Sequence, residues 1–415
     1  MYKEITKCRI CGNSDLLPIL DLGEQALTGV FPKARNEIVT SGPLALVKCN
    51  DEGDSDHCGL VQLKHSYRLD ELYGQNYGYR SGLNPSMVRH LQEIVSQALT
   101  HVSLKPGDLV VDIGSNDSTL LQAYPALGAD LVGIDPTGKK FAHYYPDNIR
   151  LIPEFFSAES LRSFCGESKA KIITSISMFY DLEDPIDFMQ QVYNVLDDDG
   201  IWVFEQSYMP TMLAVNAYDT ICHEHLEYYG LKQIKWMTDK VGFKILNVEL
   251  NDVNGGSFSV TVSKKTNARK ESKRVSAILE SEDNAGLSTI KPFMEFRDRV
   301  YKHKNSLRDF IHRLNSEGKK VLGYGASTKG NVILQFCNLT DSDIPYIAEV
   351  NSDKYGAFTP GTCIPIISES EARHLQPDYF LVLPWHFKAF ILQKEISYLK
   401  SGGKLIFPLP DIQVI

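Results

Sequence analysis

Two clusters of ionisable side chains stand out in this 415-residue chain, and each points to its own chemistry. Cys8 and Cys11 form a C-x2-C pair and Cys49 and Cys58 follow within the first sixty residues, whereas Cys165, Cys222, Cys337 and Cys363 are scattered singly. In a reducing compartment the clustered set reads as thiolate ligands rather than disulfides. Cys8-Arg9-Ile10-Cys11-Gly12 has the form of a zinc knuckle, a turn that points two sulfurs at one ion. Asn50 through His57 separate the second pair; a longer loop still closes a tetrahedral four-thiolate site, with His57 as a spare ligand. Four protein ligands leave no open coordination position, so the expected metal is structural zinc on Cys8, Cys11, Cys49 and Cys58. The plain alternative is four ordinary buried thiols.

The second cluster, Cys222-His223-Glu224-His225-Leu226-Glu227-Tyr228-Tyr229, is the densest ionisable run. Its imidazoles and carboxylates suit proton transfer. His223 and His225 lack the H-E-x-x-H spacing of a helical metal site, and satisfied structural histidines are the bland alternative. Two apart on an extended segment they share a face, so spacing does not choose between them.

Two glycine turns add possible ligand sites. In Asp112-Ile113-Gly114-Ser115-Asn116-Asp117 a glycine lets the backbone approach a ligand, and Asp135, about twenty residues on, suits ribose hydroxyls. No full G-x-G-x-x-G is present, which favours S-adenosylmethionine over NAD. Ser177 closes a third strand on the same side, and Phe155-Phe156 follow a short strand where they can wall an adenine pocket or simply pack. In the second turn, Gly323-Tyr324-Gly325-Ala326-Ser327-Thr328-Lys329-Gly330, small residues, hydroxyls and one lysine suit a diphosphate. It lacks the G-K-[ST] order of a nucleotide-hydrolysing loop, and its bland reading is a tight turn with a solvated lysine. Asn351 and Trp385-His386 follow later strands and can contact a base or sugar.

The elements that must position these groups fall into three regions. The first seventy residues read as short strands and turns punctuated by Gly12, Gly23, Pro32, Gly42-Pro43 and Gly53, too little core to fold without a metal. Met87, Val88, Leu91, Ile94, Val95 and Leu99 then recur at helical spacing. Apolar runs at 108–113, 130–135, 171–177 and 200–205, with a helix from Pro185 to Leu196, predict a doubly wound α/β domain, closed by an antiparallel pair at 243–250 and 257–262. Phe293, Phe296, Val300, Leu307, Phe310, Ile311 and Leu314 predict a long amphipathic linking helix. Runs at 320–324, 346–350, 379–383 and 404–407 start a second parallel sheet. The expected division is 1–72, 73–268, a linker helix 269–318, and 319–415.

With 43 Lys+Arg against 52 Asp+Glu and no basic block, nucleic acid is not the expected partner. No apolar run approaches the roughly 20 residues of a membrane span, and the polar Met-Tyr-Lys-Glu start is not a signal peptide, so a cytoplasmic protein is expected, as a monomer or small homo-oligomer.

Cys8-x2-Cys11, Leu20-Asp21-Leu22-Gly23-Glu24-Gln25, Cys58-Gly59-Leu60-Val61-Gln62-Leu63, Asp112 to Asp117, Glu224-His225 and Gly323-Tyr324-Gly325-Ala326 occur in one order. In that order the chain resembles, over essentially its whole length, the three-domain nucleotide-sugar C-methyltransferases, the group containing the enzyme that branches tetronitrose. The resemblance implies a zinc-binding first domain, a central S-adenosylmethionine domain bound through Asp112, Gly114, Asn116 and Asp135, and a C-terminal Rossmann-like domain helping to hold a nucleotide-linked keto-deoxysugar through residues 324–329. It also implies that the 222–229 segment deprotonates a sugar carbon beside a ketone, with His225 as base, Glu224 orienting it or tuning its pKa, and Tyr79 donating to the ketone or enolate oxygen. His223 is the rival base. The chain departs from the family pattern in carrying Cys222 for a common tyrosine, Asp181 near a common histidine, and Asn254-Gly255-Gly256-Ser257-Phe258-Ser259 for His-Gly-Gly-Ser-x-Arg. Methyl transfer to oxygen or nitrogen, a dinucleotide-dependent oxidoreductase or epimerase, and a zinc-organised sensor are the competing readings.

Overall fold

The computed structural model describes residues 2–53, 56–68, 72 and 79–415. The N-terminal region carries β1 (Leu16–Ala26), β2 (Ser41–Cys49) and β3 (Val61–Leu63). The first two strands, of 11 and 9 residues, are longer than the glycines and prolines in them suggested. Their ladder absorbs those residues through register shifts between Pro18 and Leu20 and between Asp21 and Glu24. Bulges let a sheet accept proline and the left-handed Gly23 without ending.

The helix predicted from residue 84 is α1 (Pro85–His101), started by the Asn84 side chain accepting from Ser86 N, with Met87, Leu91, Ile94 and Val95 on its buried face. Strands β4 (Leu109–Ile113), β5 (Asp130–Ile134), β6 (Ile149–Ile152) and β7 (Ala170–Ile176) follow, then α2 (Pro185–Val195) and β8 (Leu196–Ser207). After β9 (Glu227–Tyr228) and α3 (Leu231–Val241) come β10 (Phe243–Asn251) and β11 (Ser257–Lys264). The central sheet runs β10-β11-β8-β7-β4-β5-β6, parallel from β8 to β6 and antiparallel at β11. In such a sheet, ligands bind beyond the strand ends where the order reverses, here between β4 and its neighbours β5 and β7.

Strand β9 does not join that sheet. It pairs antiparallel with β3, Glu227 opposite Gln62 and Tyr228 opposite Val61, so the N-terminal sheet runs β9-β3-β2-β1. The ionisable segment is therefore pinned by a strand to the cysteine-bearing region.

The expected single linking helix is two, α4 (Lys273–Asn284) and α5 (Lys291–Ser316), parted near Gly286 at φ +69°. Phe293, Phe296, Val300, Leu307, Ile311 and Leu314 of α5 are buried in the cluster that also holds the N-terminal sheet and the C-terminal core. Each contributes about 1.5–3 kcal/mol of transfer free energy, so α5 is a structural joint rather than a tether. The C-terminal unit comprises β12 (Val321–Tyr324), α6 (Thr328–Phe336), β13 (Ile347–Glu349), β14 (Ile366–Ser368), β15 (Tyr379–Val382), β16 (Lys404–Phe407) and β17 (Gln413–Val414). Its sheet order is β14-β13-β12-β15-β16-β17, parallel except for β17. Among the described residues no helix is long and apolar enough to cross a membrane.

Candidate active site and cofactor positions

The knuckle closes where Gly12, at φ +75°, donates its N–H to Cys8 O at 3.0 Å. Cys8 Sγ lies 3.4 Å from Cys58 Sγ, Cys11 Sγ lies 3.5 Å from Cys49 Sγ, and all four sulfurs fall within 4.8 Å of one another. Sulfurs at about 2.3 Å from a tetrahedral zinc stand about 3.8 Å apart, so the donor set fits that ion, and His57 is not part of it. Burial, and then the neighbouring thiols, hold the Cys58 thiol well above its ordinary value, a penalty that a divalent cation removes.

At the end of β4, Gly114 adopts φ +78° and donates to Ile134 O at 2.8 Å; a methyl built on it would lie 3.1 Å from Met178 Cγ. Asn116 N donates to Asp135 Oδ2 at 2.8 Å, while Asp135 Oδ1 accepts from Thr137 N at 2.7 Å and Thr137 Oγ1 at 2.5 Å. A carboxylate offers about four acceptor positions, so Asp135 ties the turn and keeps room for a ribose hydroxyl. Asp112 is buried below, accepting from Thr174 Oγ1 at 2.6 Å, and burial raises its pKa to about 7. Ser177 holds a left-handed φ of +56° at the edge of the same sheet, its N–H donating to Glu205 O at 2.7 Å. Phe155 is 55% exposed, an open aromatic face that suits an adenine, whereas Phe156 packs its ring 5.2 Å from Phe188 and is a core residue. These residues fit S-adenosylmethionine.

Tyr79 belongs to this side of the molecule: its carbonyl accepts from Asn116 Nδ2 at 3.2 Å, and its side chain is half exposed. Tyr77 and Gly78 of its motif lie outside the described residues.

The segment at 222–229 is not extended where the two histidines sit. His225 N donates to Cys222 O at 3.2 Å, so the chain turns and the imidazoles part. His223 is fully buried, with Nε2 3.3 Å from Gly42 O and its ring 4.6 Å from that of Tyr67. His225 is half-buried; its Nδ1 lies 2.8 Å from Thr220 O and its ring 4.3 Å from that of Tyr180. A carbonyl accepts, so Nδ1 carries the hydrogen and Nε2 keeps its lone pair. Burial, and then the Lys329 charge, lower His225 to about 4; burial lowers His223 to about 4. Both rings are thus neutral at neutral pH. The orienting contact to His225 comes from Thr220, not from Glu224, and among the described residues no hydrogen bond joins Glu224 to His225. Glu224 Oε1 instead faces Gly29, where a methyl would lie 2.8 Å away, and Oε2 has no partner.

In the C-terminal turn Gly325, at φ +82°, donates to Ala348 O at 2.8 Å, and Ala326 N donates to Glu349 Oε2 at 2.8 Å. Glu349 Oε1 accepts from Val350 N and Asn351 N, each at 2.8 Å, and the residue is 7% exposed. Ser327 caps α6 by accepting from Gly330 N at 3.0 Å. Three of the turn's amides, Gly325, Ala326 and Gly330, are thus engaged by a carbonyl, a buried carboxylate and a hydroxyl. Tyr324 turns its hydroxyl to Glu395 Oε1 at 2.9 Å rather than towards a ligand, and the Asn351 side chain caps the next turn at Asp353 N. Glu349 was legible in the sequence but overlooked: it ends the second strand of its unit, much as Asp135 directly follows its own.

Lys329 donates to Asn254 O at 2.6 Å, joining α6 to the tip of the β10–β11 hairpin. Thr328 Oγ1 and Glu224 Oε1 lie 3.9 and 2.8 Å from the same methyl position on Gly29. Trp385 Nε1 donates to Asp219 Oδ2 at 2.7 Å. Gly114 meets Met178 just after β7, Tyr180 packs on His225, Lys329 joins the hairpin tip to the first turn of α6, and the Lys329 charge reaches His225. No sequence motif announced Asp219, or the buried Glu205 held by His90 at 2.6 Å and Asn251 at 2.8 Å, because their partners are distant in the chain.

Three family models match in order: a domain described as zinc binding at residues 8–73, a methyltransferase domain at 87–248, and a C-methyltransferase C-terminal domain at 252–410. A curated relative, the C-methyltransferase NovU of Streptomyces niveus, is 29% identical over 418 residues, covering 100% of this chain and 98% of that one. Solved structures include LepI in complex with SAM (14% identity, 44% of this chain and 54% of that one, TM-score 0.34). Another is the plantazolicin methyltransferase BpumL with SAH (12% identity, 42% and 82%, TM-score 0.34). With the thiol quartet and the cofactor turn placed as described, the chain belongs to the three-domain C-methyltransferases, S-adenosylmethionine-dependent enzymes with a zinc-binding first domain.

Proposed function

We propose that the acceptor is a carbon beside the ketone of a nucleotide-linked deoxysugar, and that His225 is the base that activates it. The observation that carries this reading is the half-buried His225 imidazole, neutral, with no hydrogen bond to Nε2 among the described residues and with the Lys329 charge within reach; in this reading it walls a cleft shared by the cofactor turn and α6. The motif order shared with the nucleotide-sugar C-methyltransferases supports the substrate class.

S-adenosylmethionine, when bound, supplies an electrophilic methyl whose bonding pair returns to sulfur. The protein's part is positioning and proton transfer. His225 Nε2 takes the proton from carbon and passes it to solvent, while Thr220 O holds Nδ1–H and keeps the ring aimed. Asp112, Gly114, Asn116, Asp135, Ser177 and Phe155 hold the donor in this reading; Ser327, Thr328 and Lys329 border the sugar nucleotide, with Tyr79 on the donor side. His223, sealed against Tyr67, holds the segment to the first domain.

Incubation with methyl-13C S-adenosylmethionine and a panel of dTDP- and UDP-linked 4-keto-6-deoxyhexoses, followed by NMR, is expected to show label on a carbon next to the ketone. Label on oxygen or nitrogen, or no transfer to any member, would overturn the assignment. His225→Ala is expected to keep donor binding and lose exchange of the substrate α-proton with solvent.

A further inference from the structure

We propose that the Lys329 ammonium carries the negative charge that develops on the keto oxygen as His225 removes the neighbouring proton, which makes Lys329 a catalytic residue rather than a phosphate ligand. This rests on the base reading given above. Lys329 is the second residue of α6, half-buried at the cleft, and its Nζ is tied to Asn254 O at 2.6 Å. An ammonium has three donors, so one backbone acceptor leaves it directions to spare. Among the described residues no carboxylate lies within 4.0 Å of it.

The surrounding groups lack partners in a way that a bound substrate would mend. Among the described residues, Asp219 Oδ1, Thr220 Oγ1, Glu224 Oε2 and His386 Nδ1 are buried without a hydrogen bond. His386 adjoins Trp385, whose indole donates to Asp219, and both pack on Gly255 beside Asn254; a methyl on Gly255 would lie 3.7 Å from Trp385 and 3.8 Å from His386. Asp219, Cys222, His225 and His386 are the titratable groups facing the ammonium: the first two raise the pKa that burial lowers, and the ammonium in turn lowers both imidazoles.

The first two amides of the turn are not available to a diphosphate. The Gly325 and Ala326 amides are engaged by Ala348 and Glu349, and two carboxylates, Glu349 and Asp219, border the approach. A ketone is neutral on binding and anionic on enolisation, so a fixed cation in a desolvated cleft acts mainly on the transition state. The C–H pair becomes the C=C bond, the carbonyl π pair moves to oxygen beside Lys329, and the proton goes to His225 Nε2. The enolate carbon then takes the methyl as the carbonyl re-forms, and the S–CH3 pair stays on sulfur. Charge on the oxygen also offsets the ammonium felt by His225, raising its basicity as the proton arrives.

The test uses full-length, zinc-loaded enzyme with S-adenosylhomocysteine in the donor site and the dTDP- and UDP-linked 4-keto-6-deoxyglucoses in D2O. Lys329→Met is expected to slow α-proton exchange about 10²- to 10³-fold. It should also erase the alkaline limb of the pH profile, which in wild type falls below the ordinary lysine range. Binding of dTDP or UDP alone should change less than about threefold. Lys329→Arg, which keeps the charge, should retain exchange within about tenfold and shift that limb upward, and it serves if the methionine variant fails to fold. Exchange in Lys329→Met equal to wild type, or a tenfold loss of nucleoside diphosphate binding with exchange preserved at saturation, would overturn the proposal alone. Wild-type enzyme that exchanges neither sugar would overturn the base reading and this one with it.

Discussion

The two glycine turns, one in each sheet, are built alike yet face different tasks. Gly114 and Gly325 both follow the first strand of their unit at positive φ, and both donate to the carbonyl at the end of the second strand at 2.8 Å. In both, the acid one residue beyond that pairing accepts an amide of the turn at 2.8 Å, Asp135 from Asn116 and Glu349 from Ala326. The differences lie around them. The middle turn leads into Ser115–Thr119 and only a short 3-10 helix at Leu121–Ala123. The C-terminal turn leads into the Ser327-capped α6 and is wedged against Pro384. One local solution thus serves the turn proposed to hold the donor in the middle domain, whereas in the C-terminal domain it starts the helix whose Lys329 reaches the β10–β11 hairpin tip.

The comparison breaks first at the acids. Asp135→Asn is expected to weaken S-adenosylmethionine binding by up to about 100-fold in calorimetry, since a charged hydrogen-bond acceptor is lost. Glu349→Gln should leave that affinity within about twofold. Equal effects, or none from Asp135, would mean that the acid serves only the turn in both domains. It sharpens next at the glycines. Gly325→Ala would place a methyl 2.7 Å from Pro384 Cδ on a positive-φ backbone, for a loss of about 2 kcal/mol in denaturant unfolding. Gly114→Ala meets only the flexible Met178 at 3.1 Å and should cost about 1 kcal/mol. The smallest effect concerns Asp112, whose counterpart, two residues before the second turn's glycine, is Gly323. Burial raises the Asp112 pKa to about 7, so the folded state holds a proton that the unfolded chain releases, and stability falls as pH rises from about 4 to about 7. Asp112→Asn should flatten that part of the stability curve, with Thr174 still bonded.

Local patterns carried far. The thiol quartet, the α1 face from Met87 to Val95, the alternation of strands and helices in both sheets, and the closing hairpin were legible because each depends on periodicity or on ligand spacing. Sequence order does not say which way an aromatic ring turns, so it left open that Phe156 packs on Phe188 and that Tyr324 sends its hydroxyl to Glu395. The 222–229 cluster was found by composition, yet the choice between its histidines was not, since both were read on an extended strand.

What the residues alone determine is therefore the parts: a four-sulfur knuckle, two strand–turn–helix units and a run of ionisable side chains. Tertiary structure decided which imidazole is sealed and which is usable, because that depends on Gly42 and Tyr67 packing from one domain and Thr220 and Lys329 acting from others. It also decided what the second turn's amides do, because Glu349 reaches them only once β12 and β13 lie side by side. Burial and charge at a point are sums over neighbours in space, and those neighbours here are up to hundreds of residues apart in the chain.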